Sequence, residues 1–203
     1  MVTGSRRPTR RRRKLRVNVA QMDYSIRVNG KRQLRNLALI GFMGTGKSSV
    51  GRLVAEQLHF HFLDTDAEIE TQSGLTIPEI FAQQGEAAFR ERERKLVEHL
   101  ASRRELVIST GGGLPVEPAN LESLKTHALV VGLWASPERI WERVRNQTHR
   151  PLLQDADPQA RIRTLLAARE PFYRQADVLI NTELRSVREV AQQILHQFRP
   201  MAG

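Results

Sequence analysis

The sequence predicts an α/β fold, a parallel sheet with helices packed on both faces. Three observations predict it. Short apolar runs of strand character recur along the chain, each followed by a helix-forming segment. Strands alternating with helices are joined by right-handed crossovers that cover a parallel sheet on both sides. Residues 41–48 read Gly-Phe-Met-Gly-Thr-Gly-Lys-Ser, a complete G-x-x-x-x-G-K-[ST] phosphate-binding pattern between the first strand and the first helix. Two more clusters, Asp-Thr-Asp at 64–66 and Gly-Gly-Gly at 111–113, fall just past the ends of other strands. Ligands in such sheets sit at the carboxyl ends of the strands, so the three signals converge on one rim.

Residues 36–40 form the first strand, and 48–58 the first helix, with Val50, Leu53, Val54 and Leu58 on one face. Residues 60–64 form the second strand, and 67–72 a short helix closed by Gly74. Thr76-Ile-Pro-Glu79 is a capping box that opens another short helix, which stops before Gly85. Residues 86–100 form a longer helix with Phe89, Leu96, Val97 and Leu100 on its buried stripe. The third strand is 106–109 and the fourth 128–133. Ser136 and Pro137 then supply an N-cap and a first-turn proline for a helix reaching about residue 145. The polar stretch 146–158 reads as a mobile loop, and helix 159–169, strand 177–180 and helix 186–198 finish the chain.

The 203 residues suffice for one well-buried domain with a small insertion. There is no cysteine, which excludes disulfides, thiolate metal sites and a cysteine nucleophile. No apolar run approaches the roughly 20 residues needed to span a bilayer, and no apolar core follows the basic N-terminus, so a cytoplasmic protein without a membrane partner is expected. The net charge of +10 is unevenly spread. Residues 1–36 hold 12 Lys/Arg and one acid, whereas 37–203 are nearly neutral with 20 Lys/Arg and 21 acids. Residues 1–36 are therefore expected to be a disordered basic extension, and 37–203 a single domain. The extension can bind polyanions weakly through salt-sensitive phosphate contacts, with no obligatory nucleic-acid partner expected. The neutral body gives no reason for assembly, so a monomer is expected. His59 and His61 are expected to be strand-edge residues rather than a metal pair.

The phosphate loop implies a nucleoside triphosphate. Its glycines let backbone N–H groups turn inward around phosphates, and the helix N-terminus adds partial positive charge. Gly44, Thr45, Gly46, Lys47, Ser48 and Ser49 are the expected phosphate-contacting residues, with Lys47 reaching the β- and γ-phosphates and Ser48 able to ligate Mg²⁺. Where the chain turns after the second strand, one of Asp64 and Asp66 can face the metal's water shell and the other an acceptor hydroxyl. Alternatively, Asp66 caps the next helix. The triple glycine lets backbone N–H groups approach a ligand without Cβ obstruction.

Collectively, the phosphate loop, Asp64-Thr-Asp66, Gly85-Glu-Ala-Ala-Phe-Arg90, Ser109-Thr-Gly-Gly-Gly113, Arg150-Pro-Leu-Leu153 and Arg169-Glu-Pro-Phe-Tyr173 resemble the shikimate kinase family, over residues 37 to about 198. The resemblance implies a P-loop NTPase fold of the nucleoside-monophosphate-kinase type. Such a fold has a five-stranded parallel sheet, a small helical substrate-binding insertion at about 66–100 and a lid at about 146–158. It implies transfer of a phosphoryl group from ATP, the co-substrate, to the 3-hydroxyl of shikimate with one Mg²⁺. In that scheme Asp66 binds the acceptor hydroxyls and takes the proton, Arg90 and Arg169 clamp the carboxylate, and the Gly112 N–H helps hold the same substrate. Arg150 closes from the lid onto the phosphates, Asp64 holds Mg²⁺ through water beside Ser48, and Arg185 falls where the adenine-side loop lies. Lys47, Asp66 and Arg150 are thus the catalytic set. The alternatives are a gluconate-kinase-like enzyme, which needs neither two carboxylate-binding arginines nor this glycine triplet, and a nucleic-acid-associated regulator with a kinase-like body.

Overall fold

The computed structural model describes residue 32 and residues 34–146 and 157–198. The basic segment 1–31, Arg150 and most of the expected lid lie outside the described residues.

Five apolar segments become strands β1 (Asn36–Ile40), β2 (His61–Asp64), β3 (Leu106–Ser109), β4 (Ala128–Trp134) and β5 (Val178–Asn181). All pairings are parallel, in the order β2-β3-β1-β4-β5. Period-two alternation assigns their side chains to opposite faces. Leu37, Leu39, Val107, Leu129 and Val131 join a cluster with Val50 and Val54 of α1 (Lys47–Leu58) and Val190, Ile194 and Phe198 of α7 (Val187–Phe198). Ala38, Ile40, Ile108 and Val130 join the other cluster. That cluster takes in Phe89, Leu96 and Val97 of α3 (Ile77–Leu100), Leu121 and Leu124 of α4 (Pro118–His127), and Ile162 and Leu166 of α6 (Pro158–Tyr173).

β1 and β3 are neighbours, pairing Leu37 with Val107 and Leu39 with Ser109. The chain leaves β1 toward the edge strand β2, but leaves β3 across β1 toward β4. Their exits diverge, and the crevice between them is the switch point at which open α/β sheets bind ligands. The phosphate loop follows β1 and the glycine triplet follows β3.

Several details differ from the expectations. Contacts of the folded residues begin before Leu37: Leu34 is buried, and Arg32 bonds Asp177 at 2.6 Å and the Ala128 carbonyl at 2.6 Å. The helix after β2, α2 (Thr65–Ser73), is capped by Asp64, whose side chain accepts from the Asp66 N–H at 3.2 Å; Asp66 itself lies inside the first turn. Helix α4 has no counterpart in the sequence reading; its signal was Pro118 at the first helical position. Finally, α6 runs past Arg169 and through Pro171 to Tyr173. The capping box at Thr76 forms, and Gly85 (φ 81°, ψ 170°) breaks α3 where the two helices were expected to part. His61 is exposed on the edge strand β2, whereas His59, expected there too, instead closes α1 in the left-handed region before the strand begins.

Candidate active site

The loop between β1 and α1 turns sharply, with φ of 140°, 74° and 95° at Gly41, Gly44 and Gly46. A side chain at Gly44 would also lie 2.7 Å from the Val144 side chain of α5 (Pro137–Val144). Only glycine combines this backbone with this closeness. Lys47 is buried and donates to the Gly41 carbonyl at 2.8 Å and the Phe42 carbonyl at 2.9 Å, and Thr45 Oγ1 donates to the same Phe42 carbonyl. The first turn of α1 has no acidic residue, so the helix dipole faces the crevice uncompensated.

Asp64 has two tasks. One carboxylate oxygen caps α2; the other accepts from Ser48 Oγ at 2.9 Å, and Ser109 Oγ stands 3.3 Å from the same hydroxyl. This set of hydroxyl and carboxylate oxygens at the mouth of the phosphate loop suits a hard divalent cation such as Mg²⁺. Among the described residues, no group of three or more His, Cys, Asp or Glu side chains is placed to hold a metal, so a protein-only cage is not built here. A cation would complete its shell with phosphate and water oxygens.

The glycine triplet does more than expose backbone N–H groups. Each glycine backs one predicted substrate residue. A Cβ at Gly111 would collide with Asp66 Oδ1; at Gly112 it would lie 3.7 Å from Arg169 Nη1; at Gly113 it would lie 2.7 Å from Arg90 Nη1. Asp66, Arg169 and Arg90, from three different helices, are thus gathered along three consecutive residues. The triplet is itself tied down. The Gly111 N–H donates to Thr65 Oγ1 at 2.8 Å, Leu114 N–H donates to the Gly111 carbonyl at 3.2 Å, and Tyr173 Oη donates to the Gly112 carbonyl at 2.6 Å.

Arg90 is held by Glu93 at 2.7 Å and Glu86 at 2.9 Å. Burial lowers the guanidinium's proton affinity, but the two carboxylates outweigh it, so the group stays charged. Glu93 is almost wholly buried, and its Oε1 has no hydrogen-bond partner among the described residues. Burial raises its carboxyl above the ordinary carboxylate range, against the pull of Arg90, with Asp66 adding to the rise and Arg169 opposing it. The sequence reading missed Glu93, although there was a signal: it lies four residues after Phe89 and three before Leu96, on the buried stripe. Burial also pushes the Tyr173 phenol up to about 12, despite the neighbouring Arg169.

A cleft of about 630 Å³ runs along the phosphate loop. Residues 44–49 of the loop line it, with Asp64, Asp66 and Gly112 from the β2 and β3 side and Arg143, Thr182 and Arg185 from the β4 and β5 side. Arg143 was not anticipated; it donates to the Gly44 carbonyl at 3.2 Å and to Thr182 Oγ1 at 3.0 Å, and burial lowers its proton affinity, with Arg139 adding to the effect.

Comparison with known proteins agrees with this geometry. Residues 43–199 match the shikimate kinase family. A shikimate kinase of Cupriavidus pinatubonensis is 45% identical over 169 residues, covering 83% of this chain and 88% of the relative. One from Acinetobacter baylyi is 48% identical over 163 residues, 80% of this chain and 91% of the relative. Among solved structures, the shikimate kinase of Acinetobacter baumannii in complex with shikimate is 42% identical, with a TM-score of 0.78 over 83% of this chain and 95% of the other. A gluconokinase from Sinorhizobium meliloti, 21% identical with a TM-score of 0.57 over 85% of this chain and 95% of the other, shares the fold alone. The likeness to the gluconokinase reaches the fold and no further, whereas the family match and the identity to shikimate kinases go beyond it: the chain belongs to the shikimate kinase family.

Proposed function

We propose that this chain transfers the γ-phosphoryl group of ATP to the 3-hydroxyl of shikimate, giving shikimate 3-phosphate and ADP. The observation that carries the reading is one cleft lined both by the phosphate loop and by Asp66 and Gly112, with Arg169 and Arg90 against the adjoining glycines. The loop N–H groups, the α1 dipole and Lys47 bind the polyphosphate. Arg143 and Arg185 line the β4 and β5 side of the cleft, where the nucleobase fits. Arg90 and Arg169 bind the substrate carboxylate, a task suited to a planar guanidinium fork, and the Gly112 N–H adds to it. Gripping the acid by its anionic end holds the hydroxyls toward Asp66, which orients the attacking oxygen and accepts its proton. Ser48 and, through water, Asp64 would hold one Mg²⁺, which when bound with ATP neutralises charge on the β- and γ-oxygens. Arg150, outside the described residues, completes the phosphate side from the lid and helps exclude water as a competing acceptor.

No helix among the described residues is long and apolar enough to cross a membrane. Gluconate also carries a carboxylate, so the acceptor is told apart by turnover rather than by charge. ADP release measured with shikimate and, separately, with gluconate separates the two readings. Turnover is expected with shikimate, whereas preferential turnover with gluconate would overturn the assignment.

A further inference from the structure

We propose that Tyr173 is a positioning residue for the carboxylate end of the acceptor site: its hydroxyl locks the glycine turn to α6 and so fixes where Arg169 and Arg90 stand. The inference rests on the assignment of those two arginines to the substrate carboxylate.

Tyr173 lies one helical turn after Arg169, on the same helix face. Arg169 stands over Gly112, and Tyr173 donates to the Gly112 carbonyl at 2.6 Å. One helix therefore sets a guanidinium beside Gly112 and a hydroxyl on its carbonyl. The carbonyl so held belongs to the planar Gly112–Gly113 peptide, which joins the glycine behind Arg169 to the glycine behind Arg90. Fixing that plane sets the separation of the two guanidinium seats. A tyrosine present only to fill the core needs no hydroxyl; a phenylalanine would pack as well.

The helix supplies a second reason. Pro171 lies inside α6 and lacks the N–H that would bond back along the helix. The last turn, which carries Tyr173, is thus held by one internal bond fewer, while the Arg174 N–H still bonds the Glu170 carbonyl at 3.0 Å. Its contact with the glycine turn is tertiary: Tyr173 is buried in the core cluster, with its hydroxyl on Gly112. A phenol displaced to about 12 by burial remains a donor throughout the working pH range, so the bond does not titrate.

The test compares Tyr173→Phe with Arg169→Leu, measuring kcat, KM for both substrates and Tm. A shikimate analogue bearing a hydroxymethyl group in place of the carboxylate is assayed alongside. Loss of one neutral hydrogen bond predicts a KM for shikimate raised about three- to tenfold in Tyr173→Phe. KM for ATP and Tm are expected to stay near wild type, and KM for the analogue is expected to change less than twofold (no carboxylate, no need for aligned arginines; ~1.4 kcal/mol per tenfold). Unchanged shikimate kinetics in Tyr173→Phe, with Arg169→Leu impaired, would overturn the positioning role and leave the carboxylate clamp standing. Unchanged kinetics in Arg169→Leu would overturn the clamp and this inference with it. A Tyr173→Phe protein in which both KM values rise together as Tm falls has lost general packing, which also overturns the proposal.

Discussion

At Gly113 the seat of the Arg90 guanidinium depends on the absence of a side chain. The backbone there is ordinary right-handed (φ −93°, ψ −19°), so alanine fits it without strain. The new methyl group would lie 2.7 Å from Arg90 Nη1, the far end of a flexible side chain that can swing aside. Gly113→Ala is therefore expected to keep its Tm within a few degrees and its KM for ATP, while KM for shikimate rises about tenfold or more, the scale of a lost charged hydrogen bond. Steady-state kinetics with each substrate varied in turn, beside a thermal melt, would check it; a large fall in Tm would mean that the glycine serves packing. Arg90 and Asp66 were legible as single residues because their motifs carry them. Glu93 was missed because its charge argues for solvent, although its place between Phe89 and Leu96 on the apolar stripe argued for the burial that makes it a partner for Arg90. The triplet was legible as a close-approach turn, yet its three-way seating of Asp66, Arg169 and Arg90 depends on helices distant in sequence.

Elements were readable where end signals are chemical. Thr76 with Glu79 and Ser136 with Pro137 begin helices as their side chains dictate, and Gly74 ends one through its left-handed backbone. Helix α4 escaped because Pro118 stands without a capping side chain, and the Glu117 side chain makes no cap bond. The end of α6 escaped because a tertiary anchor at Tyr173 overrides the local rule that helices stop before proline. Asp64 shows an element and a site sharing one residue: it caps α2 and faces Ser48. The two roles separate in Asp64→Asn. Asparagine caps about as well as aspartate, so Tm is expected to hold within a degree or two. With the charge gone, the Mg²⁺ concentration for half-maximal activity is expected to rise several-fold. A metal titration beside a thermal melt checks both, and an unchanged Mg²⁺ requirement would remove Asp64 from the cation site.

For the whole molecule, the informative contacts are those made upstream of β1. Charge counting placed the domain's start at residue 37, because composition cannot register the contacts that a single arginine makes. Arg32 makes them. It meets Asp177 at 2.6 Å, where the carboxylate is 4% exposed and also accepts the Val130 N–H at 2.8 Å. These contacts lie at the amino ends of β4 and β5, opposite the rim that carries the phosphate loop and the glycine triplet. Stability and catalysis should therefore separate along the chain. Removing residues 1–31 leaves every described contact of the body intact, so Tm, kcat and both KM values are expected to match the full chain. Removing residues 1–35 strips Arg32 from a buried carboxylate and takes Leu34 from the core. Breaking such a pair costs about 2–4 kcal/mol when one partner keeps some solvent contact, or about 5–12 °C in Tm for a domain of this size. Arg32→Ala in the full chain isolates the ion pair and should give a smaller fall than the 1–35 truncation, which also loses Leu34 and the backbone bonds of Arg35 to His127 and Glu105, with kinetics near wild type below the melting range. Equal melting temperatures for the two truncations would show that the body needs nothing before β1.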